Sequence, residues 1–289
     1  MNRNTISILL LMSLFVFKAC GGDDDSGDDE GDSSATDNSP LAGVCDSAAA
    51  GEILPSGTTW QWQLTGEIDR SVDVEMYDVD LFNTTAAQIE AIKGDGRFVV
   101  CYFSAGTWEN WRDDAGQFDT AAIGKTMEEW DDEKWLDVRH ASTREMVSAR
   151  LDIAVEKGCD GVEPDNMDGY VNNTGFKLTA TDQLSFNQFV AAEAHARQLS
   201  VGLKNDVDQL KALEGCYDWA LNEECHAYDE CDKYAPFVAA GKAVFHVEYV
   251  DDVKDGAALA NDICGDTSLR GFSTLVKDWD LTEWYEDCL

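Results

Sequence analysis

The segment 161–170, GVEPDNMDGY, gathers the carboxylic acids Glu163, Asp165 and Asp168 within six residues. Crowded carboxylates repel one another and raise one another's pKa, so protein chains normally keep them apart. Two kinds of chemistry need such groups. In glycoside hydrolysis, one carboxylic acid protonates the leaving oxygen while a second carboxylate attacks the sugar or activates water. In hard-metal catalysis, carboxylates hold magnesium or calcium. A serine nucleophile is disfavoured, since the sequence contains no GxSxG motif.

The three acids differ in their expected roles. Asp165 stands where a predicted strand gives way to a loop, which is the usual place for a catalytic acid in a barrel. Asp168 follows in the loop and could equally cap a turn. Strand alternation directs Glu163 towards a barrel interior or a basic partner. The best partner for Asp165 is Glu223 in the segment LNEEC, because a disulfide at the nearby Cys225 would hold that segment rigid.

The rest of the chain alternates short β-rich runs with amphipathic stretches. The predicted strands are 74–79, 97–103, 134–138, 161–164, 200–204, 218–222, 243–247 and 271–276. The predicted helices are 84–93, 143–157, 182–198, 208–214, 234–240 and 257–263. Apolar residues recur every three to four positions in the second helix. Four helices are followed by a glycine where a left-handed cap is typical, namely Gly94, Gly158, Gly215 and Gly241.

Eight strands that alternate with helices predict an α/β fold, a (β/α)8 TIM barrel. The main alternative is a doubly wound open sheet, but no GxGxxG turn follows the first strand. In a barrel the C-terminal ends of all strands meet at one rim, so the polar residues that close the strands come together there. The closing pairs are Asp78 and Asp80, Tyr102 and Ser104, Asp137 and Arg139, Asp165 and Asn166, Lys204 and Asn205, Glu223 and Glu224, Glu248 and Tyr249, and Lys277 and Asp278. They predict a rim rich in carboxylates and poor in histidine.

The N-terminal part of the sequence predicts export. The apolar stretch 6–17 has 12 residues, fewer than the about 20 that a membrane span needs, and suits a secretory signal. Ala19 before Cys20 resembles a bacterial lipoprotein signal, in which the cysteine becomes the lipidated first residue. Eight acids and no base follow, a composition that does not fold. The expected organisation is a lipoprotein-type signal peptide over 1–19, a lipid-anchored acidic disordered tether over 20–40 and a barrel catalytic domain over 41–289.

Residues 41–289 carry 49 acids against 19 lysines and arginines, a formal charge of −30. Such a surface repels nucleic acid and anionic membranes and attracts cations, although acidity also keeps secreted proteins soluble. The domain holds eight cysteines, which an oxidising compartment favours as disulfides. Cys225 and Cys231 are close enough in sequence to pair. Zinc is disfavoured, because no CxxC pair occurs and the chain has only four histidines.

Seven segments follow one another along the chain: VEMYDVDLF, VVCYFSAGTWENWR, KWLDVR, EKGCDGVEPDNMDGY, GLKND, NEEC and FHVEY. In this order they resemble glycoside hydrolase family 114, the endo-α-1,4-polygalactosaminidases. The resemblance runs from about Trp60 to the C-terminus. It implies a (β/α)8 barrel that cleaves α-1,4-linked galactosamine polymers internally, including partly deacetylated galactosaminogalactan. We expect no metal and no other cofactor.

The resemblance also implies a catalytic pair. Asp165, at the end of the fourth strand, would be the nucleophile or electrostatic stabiliser, and Glu223, at the end of the sixth, the acid/base. Substrate-binding positions that match the family's cleft are Asp78, Tyr102, Asn166, Lys204, Asn205 and Glu248. We expect Asp168 and Trp108 to bind substrate as well.

Unacetylated galactosamine carries an ammonium near neutral pH, so the expected partner is a cationic polysaccharide. Asp78, Asp80 and Glu248 could bind its amino groups. Trp108 and Trp111 could stack on sugar faces, although loop aromatics often only pack the loop. Two other functions stay open: a barrel protein that binds a cationic glycan without cutting it, and a metal-dependent polysaccharide hydrolase. We expect an exported monomer anchored by lipid to the outer membrane or cell surface, with plain secretion as the alternative.

Overall fold

The computed structural model describes residues 51–128 and 130–288. The strands in chain order are β1 Trp60–Gln63, β2 Met76–Asp80, β3 Phe98–Ser104, β4 Thr107–Glu109, β5 Ile123–Thr126, β6 Glu133–Leu136, β7 Gly161–Asp165, β8 Ser200–Lys204, β9 Trp219–Glu223, β10 Val244–Val250, β11 Phe272–Asp278 and β12 Glu286–Asp287. The helices are α1 Ala86–Gly94, α2 Ala141–Lys157, α3 Ala180–Ala196, α4 Leu210–Leu213, α5 Ala235–Ala239 and α6 Gly256–Ile263.

The predicted signal peptide, the lipidation site Cys20 and the acidic tether lie outside the described residues. Among the helices that the structure describes, none combines the length and the apolar character that crossing a membrane requires.

Eight parallel strands form the barrel in the order β1–β2–β3–β7–β8–β9–β10–β11, and β12 adds to β11 in the antiparallel sense. The predicted (β/α)8 barrel is confirmed. Seven of the predicted strands overlap barrel strands, but the prediction for 134–138 is wrong. That segment forms β6, which pairs antiparallel with β4 and β5 in a separate sheet between β3 and α2. Its β propensity is real, but propensity does not say which strand will be the partner.

The first barrel strand, β1, was not predicted. Its sequence, WQWQ, is only four residues long and half polar, yet all four side chains are buried. Gln61 is buried because its amide donates to the Glu283 carbonyl oxygen at 2.8 Å and accepts from Lys277 Nζ at 3.1 Å. Trp60 Nε1 donates to the Ser273 carbonyl oxygen at 2.9 Å. Side chains of β1 and β11 therefore connect the two strands across the barrel seam.

Strand alternation separates two environments. The outward positions pack on the helices in the largest apolar cluster. The inward positions near the floor of the barrel are aromatic and aliphatic, including Trp60, Trp62, Trp219 and Phe245. Gly202 is required among them, because a Cβ at this position would lie 2.1 Å from a ring carbon of Trp219. Further along the same strands the inward side chains become ionisable, so the barrel has an apolar floor and a charged mouth.

Two of the four predicted left-handed glycine caps at helix ends are correct, and two are wrong. Gly158 and Gly241 have the predicted positive φ, at 86° and 75°. Gly94 is instead the last residue of α1, and the left-handed residue is Gly96, with φ 87°. Gly215 lies inside a 3₁₀ turn that continues α4.

Disulfides link Cys101 to Cys159, Cys225 to Cys231 and Cys264 to Cys288, and Cys216 is disulfide-bonded as well. The predicted pairing of Cys225 with Cys231 is confirmed.

Candidate active site

A cleft of about 570 Å³ opens at the C-terminal ends of the barrel strands. Seven of the ten residues predicted for catalysis or substrate binding line it, namely Tyr102, Asp165, Asn166, Asp168, Lys204, Asn205 and Glu223. The predicted convergence of distant strand ends therefore occurs.

Lys204 lies at the centre of this group. Its ammonium Nζ is 3.2 Å from Asp165 Oδ1 and 3.2 Å from Glu223 Oε2, and it donates to Glu163 Oε1 at 2.7 Å. The side chain is 1% exposed. Burial alone would lower the pKa of Lys204, but the carboxylates of Asp165, Glu163 and Glu223 outweigh burial and raise it well above its ordinary value. A permanent cation thus holds the two candidate catalytic acids together.

The distance between those acids is limited by the lysine. Because each oxygen is 3.2 Å from the same nitrogen, Asp165 Oδ1 and Glu223 Oε2 cannot lie farther apart than twice that distance, 6.4 Å. Retaining glycosidases have carboxyl groups about 5–5.5 Å apart, and inverting enzymes about 6.5–9.5 Å apart. The limit applies to the two oxygens that face the lysine, and it favours the shorter, retaining separation.

Each acid also accepts a phenolic hydrogen bond. Tyr102 OH donates to Asp165 Oδ2 at 3.0 Å, and Tyr249 OH donates to Glu223 Oε1 at 2.5 Å. Burial, followed by the charge of the adjacent carboxylate, raises the pKa of both tyrosines well above its ordinary value. The hydroxyls therefore stay protonated and act as donors.

Five neighbouring strands supply these groups in an almost symmetric row. In sheet order they are β3, β7, β8, β9 and β10, which contribute Tyr102, Asp165, Lys204, Glu223 and Tyr249 respectively. The row runs phenol, carboxylate, ammonium, carboxylate, phenol. The strand registers pair Tyr102 with Glu163, Lys204 with Leu221 and Glu223 with Val247. Asp165, Glu223 and Tyr249 therefore each stand two residues beyond the partner of the preceding group, and the stagger of barrel strands brings the side chains together.

The backbone turns sharply directly after the row. Asn166, Asn205 and Glu224 follow β7, β8 and β9 with φ of 61°, 48° and 63°. Non-glycine residues seldom adopt this conformation, and such strain concentrates at functional sites. Gly106 permits the close packing beside Asn166, because a Cβ there would lie 1.8 Å from the Asn166 carbonyl oxygen.

Three predicted substrate-binding residues do not line the cleft. Asp78 is fully buried below Lys204. Trp108 packs against the cluster around Phe118, and its Nε1 donates to the Ala115 carbonyl oxygen at 2.9 Å. Glu248 Oε1 accepts from His246 Nε2 at 3.0 Å and from the His226 backbone at 2.9 Å. These three side chains are thus engaged inside the protein, and their role in substrate binding stays a prediction.

Sequence reasoning also missed residues that the cleft contains. Tyr249 was recognised only as a strand-end residue, although alternation from the inward Phe245 and Val247 places it inside and turns Glu248 outwards. Aromatic side chains line the cleft as well: Trp62, Trp111, Trp130, Trp135, Tyr228 and Trp279. Of the two tryptophans proposed for stacking, the structure therefore places Trp111 in the cleft and Trp108 in the packing beneath it.

Paired arginines fix one wall of the cleft. Arg112 donates to both carboxylate oxygens of Asp80, at 3.0 and 2.7 Å, and to Glu109 at 2.8 Å. Arg150, on α2, donates to both oxygens of Asp114 at 2.9 and 3.0 Å. Both arginines are buried. They tie the loop after β4 to β2 and α2, and Asp80, which lines the cleft, is held by Arg112.

Three other acids line the cleft, Asp168, Asp206 and Glu133, and no described lysine or arginine forms an ion pair with them. Burial, followed by the charge of Asp165, raises the pKa of Asp168 to about 6. Burial, followed by the charge of Asp168, raises the pKa of Asp206 to about 7. The pKa of Glu133 is also raised to about 7, mainly by burial, although the hydrogen bond from Thr107 opposes the rise.

A (β/α)8 barrel with a carboxylate-lined cleft at the C-terminal rim is the fold and site of a glycoside hydrolase. The model of the glycoside-hydrolase family GH114 matches residues 44–289, and the chain belongs to this family. A comparison with curated protein sequences gives no match.

Solved structures agree with this assignment. Ega3 from Aspergillus fumigatus, crystallised in complex with galactosamine, is 42% identical, with a TM-score of 0.80, and the match covers 83% of this chain and 98% of that one. The glycoside hydrolase domain of PelA from Pseudomonas aeruginosa is 14% identical, with a TM-score of 0.60, covering 80% of this chain and 98% of that one. At that identity PelA supports the fold alone.

Proposed function

We propose that the protein is an endo-acting glycoside hydrolase that cleaves α-1,4-linked galactosamine-containing polysaccharide, with Asp165 and Glu223 as its carboxylate pair. The observation that carries the proposal is the position of both acids on one buried lysine, at the centre of an acid-lined cleft. The relative that is 42% identical was crystallised with galactosamine, which supports the same sugar here.

The charge of the cleft favours a polyamine sugar. Among its lining residues are ten acids and two bases, Arg112 and Lys204, and both bases are engaged by carboxylates. An ammonium on each deacetylated unit would find Asp168, Asp206 and Glu133 along its path. Aromatic faces such as the exposed Trp111 suit the apolar faces of pyranose rings.

The geometry supports a retaining mechanism. Both acids are held by Lys204, a tyrosine and one further donor, which is the Asn166 backbone for Asp165 and the Asn205 amide for Glu223. Their exposure differs, and the less exposed Asp165 is assigned as the nucleophile. Glu223 is more exposed, with 28% of its side chain accessible against 17% for Asp165, and is assigned as the acid/base. Glu223 would protonate the leaving oxygen while Asp165 attacks the anomeric carbon, and would then accept a proton from the water that releases the glycosyl-enzyme.

The test is a reducing-end assay on partly deacetylated galactosaminogalactan, with product lengths read by mass spectrometry. Short oligomers with new reducing ends, unaffected by a chelator, support the proposal. Fully N-acetylated polymer is the matched control and should be cut more slowly. Binding without new reducing ends would instead identify a barrel protein that binds the cationic glycan without cutting it. Loss of cleavage after chelation would favour the metal-dependent hydrolase. The position of Lys204 argues against that alternative, because its ammonium lies between the carboxylates that would have to bind the metal.

Binding of the cationic polymer should weaken strongly as salt rises. The Debye length falls from about 8 Å at 0.15 M to about 3 Å at 1 M, so attraction between the acidic cleft and the ammonium groups is screened. Isothermal titration at increasing sodium chloride would measure the change. N-acetylated polymer, which carries no charge, should show little dependence. Equal affinity for the charged polymer at both salt concentrations would reject charge attraction as the basis of recognition.

We also propose that the chain is exported and anchored through Cys20. The disulfides among the described residues fit an oxidising compartment. Replacing Cys20 by alanine should shift the protein from the membrane fraction to the soluble fraction after cell lysis. An unchanged membrane fraction for Cys20→Ala would argue against the lipid anchor.

A further inference from the structure

Two carboxyl groups lie directly below the catalytic row and do not reach the cleft. Asp78, on β2, and Glu163, on β7, are both fully buried. Glu163 Oε1 accepts from Lys204 Nζ at 2.7 Å. Within the described residues, no nitrogen or hydroxyl donates to Glu163 Oε2 or to either carboxyl oxygen of Asp78. The two side chains instead lie within hydrogen-bonding reach of each other.

Two ionised carboxylates cannot hydrogen-bond, because each offers only acceptors. Leaving three buried oxygens without a donor is unfavourable, and two like charges at this depth repel strongly. One proton between the groups removes the charge repulsion and pairs two of the three oxygens, so that only a neutral carbonyl oxygen of Asp78 is left without a donor. We propose that Asp78 is a permanently protonated positioning residue, which donates its proton to Glu163 Oε2 and so holds Lys204 between Asp165 and Glu223.

The surroundings indicate which group carries the proton. Burial, followed by the charge of Glu163, raises the pKa of Asp78 well above its ordinary value. The pKa of Glu163 is raised only to about 7, because Lys204 opposes the effect of burial. The charged groups that face Asp78 are Glu163, Lys204 and Asp165. With Lys204 bound to Glu163, the proton belongs on Asp78.

The proton sets the charge around the lysine. If Asp78 is neutral, Lys204 faces one carboxylate from below, Glu163, and the catalytic pair Asp165 and Glu223 from the cleft. A second charge below would draw the ammonium towards the floor of the barrel and away from the catalytic pair. Asp78 therefore acts on the reaction only through Glu163 and Lys204. This inference depends on the proposed function for its activity readout alone.

An asparagine at position 78 reproduces a neutral acid, since its amide can donate to Glu163, whereas alanine cannot donate. Asp78→Asn should keep kcat/KM within about threefold of the original chain, and Asp78→Ala should lower it about 10–100-fold, mainly through kcat. If Asp78→Asn is as inactive as Asp78→Ala, the negative charge is what matters and the proposal is overturned.

Infrared spectroscopy provides a readout that needs no substrate and does not require Asp78→Ala to fold. At about pH 9, two units above the pKa of about 7 of Glu133 and Asp206, the original protein should still show a carboxylic acid carbonyl band. The band should be absent from Asp78→Asn. Glu248→Gln, at another buried carboxyl with nitrogen donors, should leave the band unchanged. No band, or a band that survives Asp78→Asn, overturns the proposal. A band that behaves as expected in a protein that fails to cut the polymer would leave this inference standing while the proposed function fails.

Discussion

Replacing Asp165 by asparagine should lower kcat for cleavage of the galactosamine polymer by roughly 10⁴-fold or more. The amide keeps the shape of the side chain, and its single oxygen can still accept from Lys204 in place of Asp165 Oδ1, but it cannot form a glycosyl-enzyme ester. Binding of the polymer should change little, because Asp168 and Asp206 remain in the cleft. Initial rates of reducing-end formation and binding titrations on the same preparation would separate the two effects.

Asp168→Asn is the matched control for that variant. It removes a cleft acid three positions away that is outside the central row, and kcat should fall less than about tenfold while KM rises. The assignment of Asp165 as nucleophile fails if Asp165→Asn keeps more than about a tenth of the original kcat, or if both variants lose the same amount.

Replacing Glu223 by glutamine should lower kcat by roughly 10²–10⁴-fold, since the amide can neither protonate the leaving oxygen nor activate water. The loss should depend on the leaving group. With an aryl-activated galactosamine oligomer, whose phenolate departs without a proton, the first step should be nearly unaffected, and glycosyl-enzyme should accumulate as a burst.

The neighbouring Glu224 provides a control with the same chemistry, one residue away in the cleft. Glu224→Gln should change kcat less than about tenfold for both substrates. If Glu223→Gln slows release of the aryl group as much as it slows polymer cleavage, Glu223 is not the general acid.

The barrel was predictable from the sequence because its signals are local. Alternation of β-rich runs with amphipathic helices needs no knowledge of partners, and it placed β2, β3 and β7 to β11 correctly. The two errors have different physical causes. WQWQ in β1 is buried through distant partners on β11 and in the segment after it, which no window of the sequence shows. KWLDV pairs antiparallel with β4 and with β5, the strand just before it, and β propensity does not distinguish such local pairing from a place in the barrel.

The candidate site was predictable to the level of strand ends, but not to the level of which side chains line the cleft. Glu248 was predicted from its match to the family's cleft, and Tyr249 was noted only as a strand-end residue. Strand alternation favours Tyr249, which the structure places on Glu223. Depth was a second difficulty. Asp78 is fully buried, one pleat below Asp80, which lines the cleft.

The five-strand row has a consequence for how such an enzyme can diversify. Every group that would touch the scissile bond is mounted on the barrel wall, whereas Trp111, Trp130 and Glu133 belong to the excursion between β3 and α2. The proposed cleaving groups and these three candidate sugar contacts therefore lie on separate parts of the chain. On the proposed function, exchanging the excursion by evolution or by laboratory grafting would change the sugar contacts that it provides and leave the five-strand row in place.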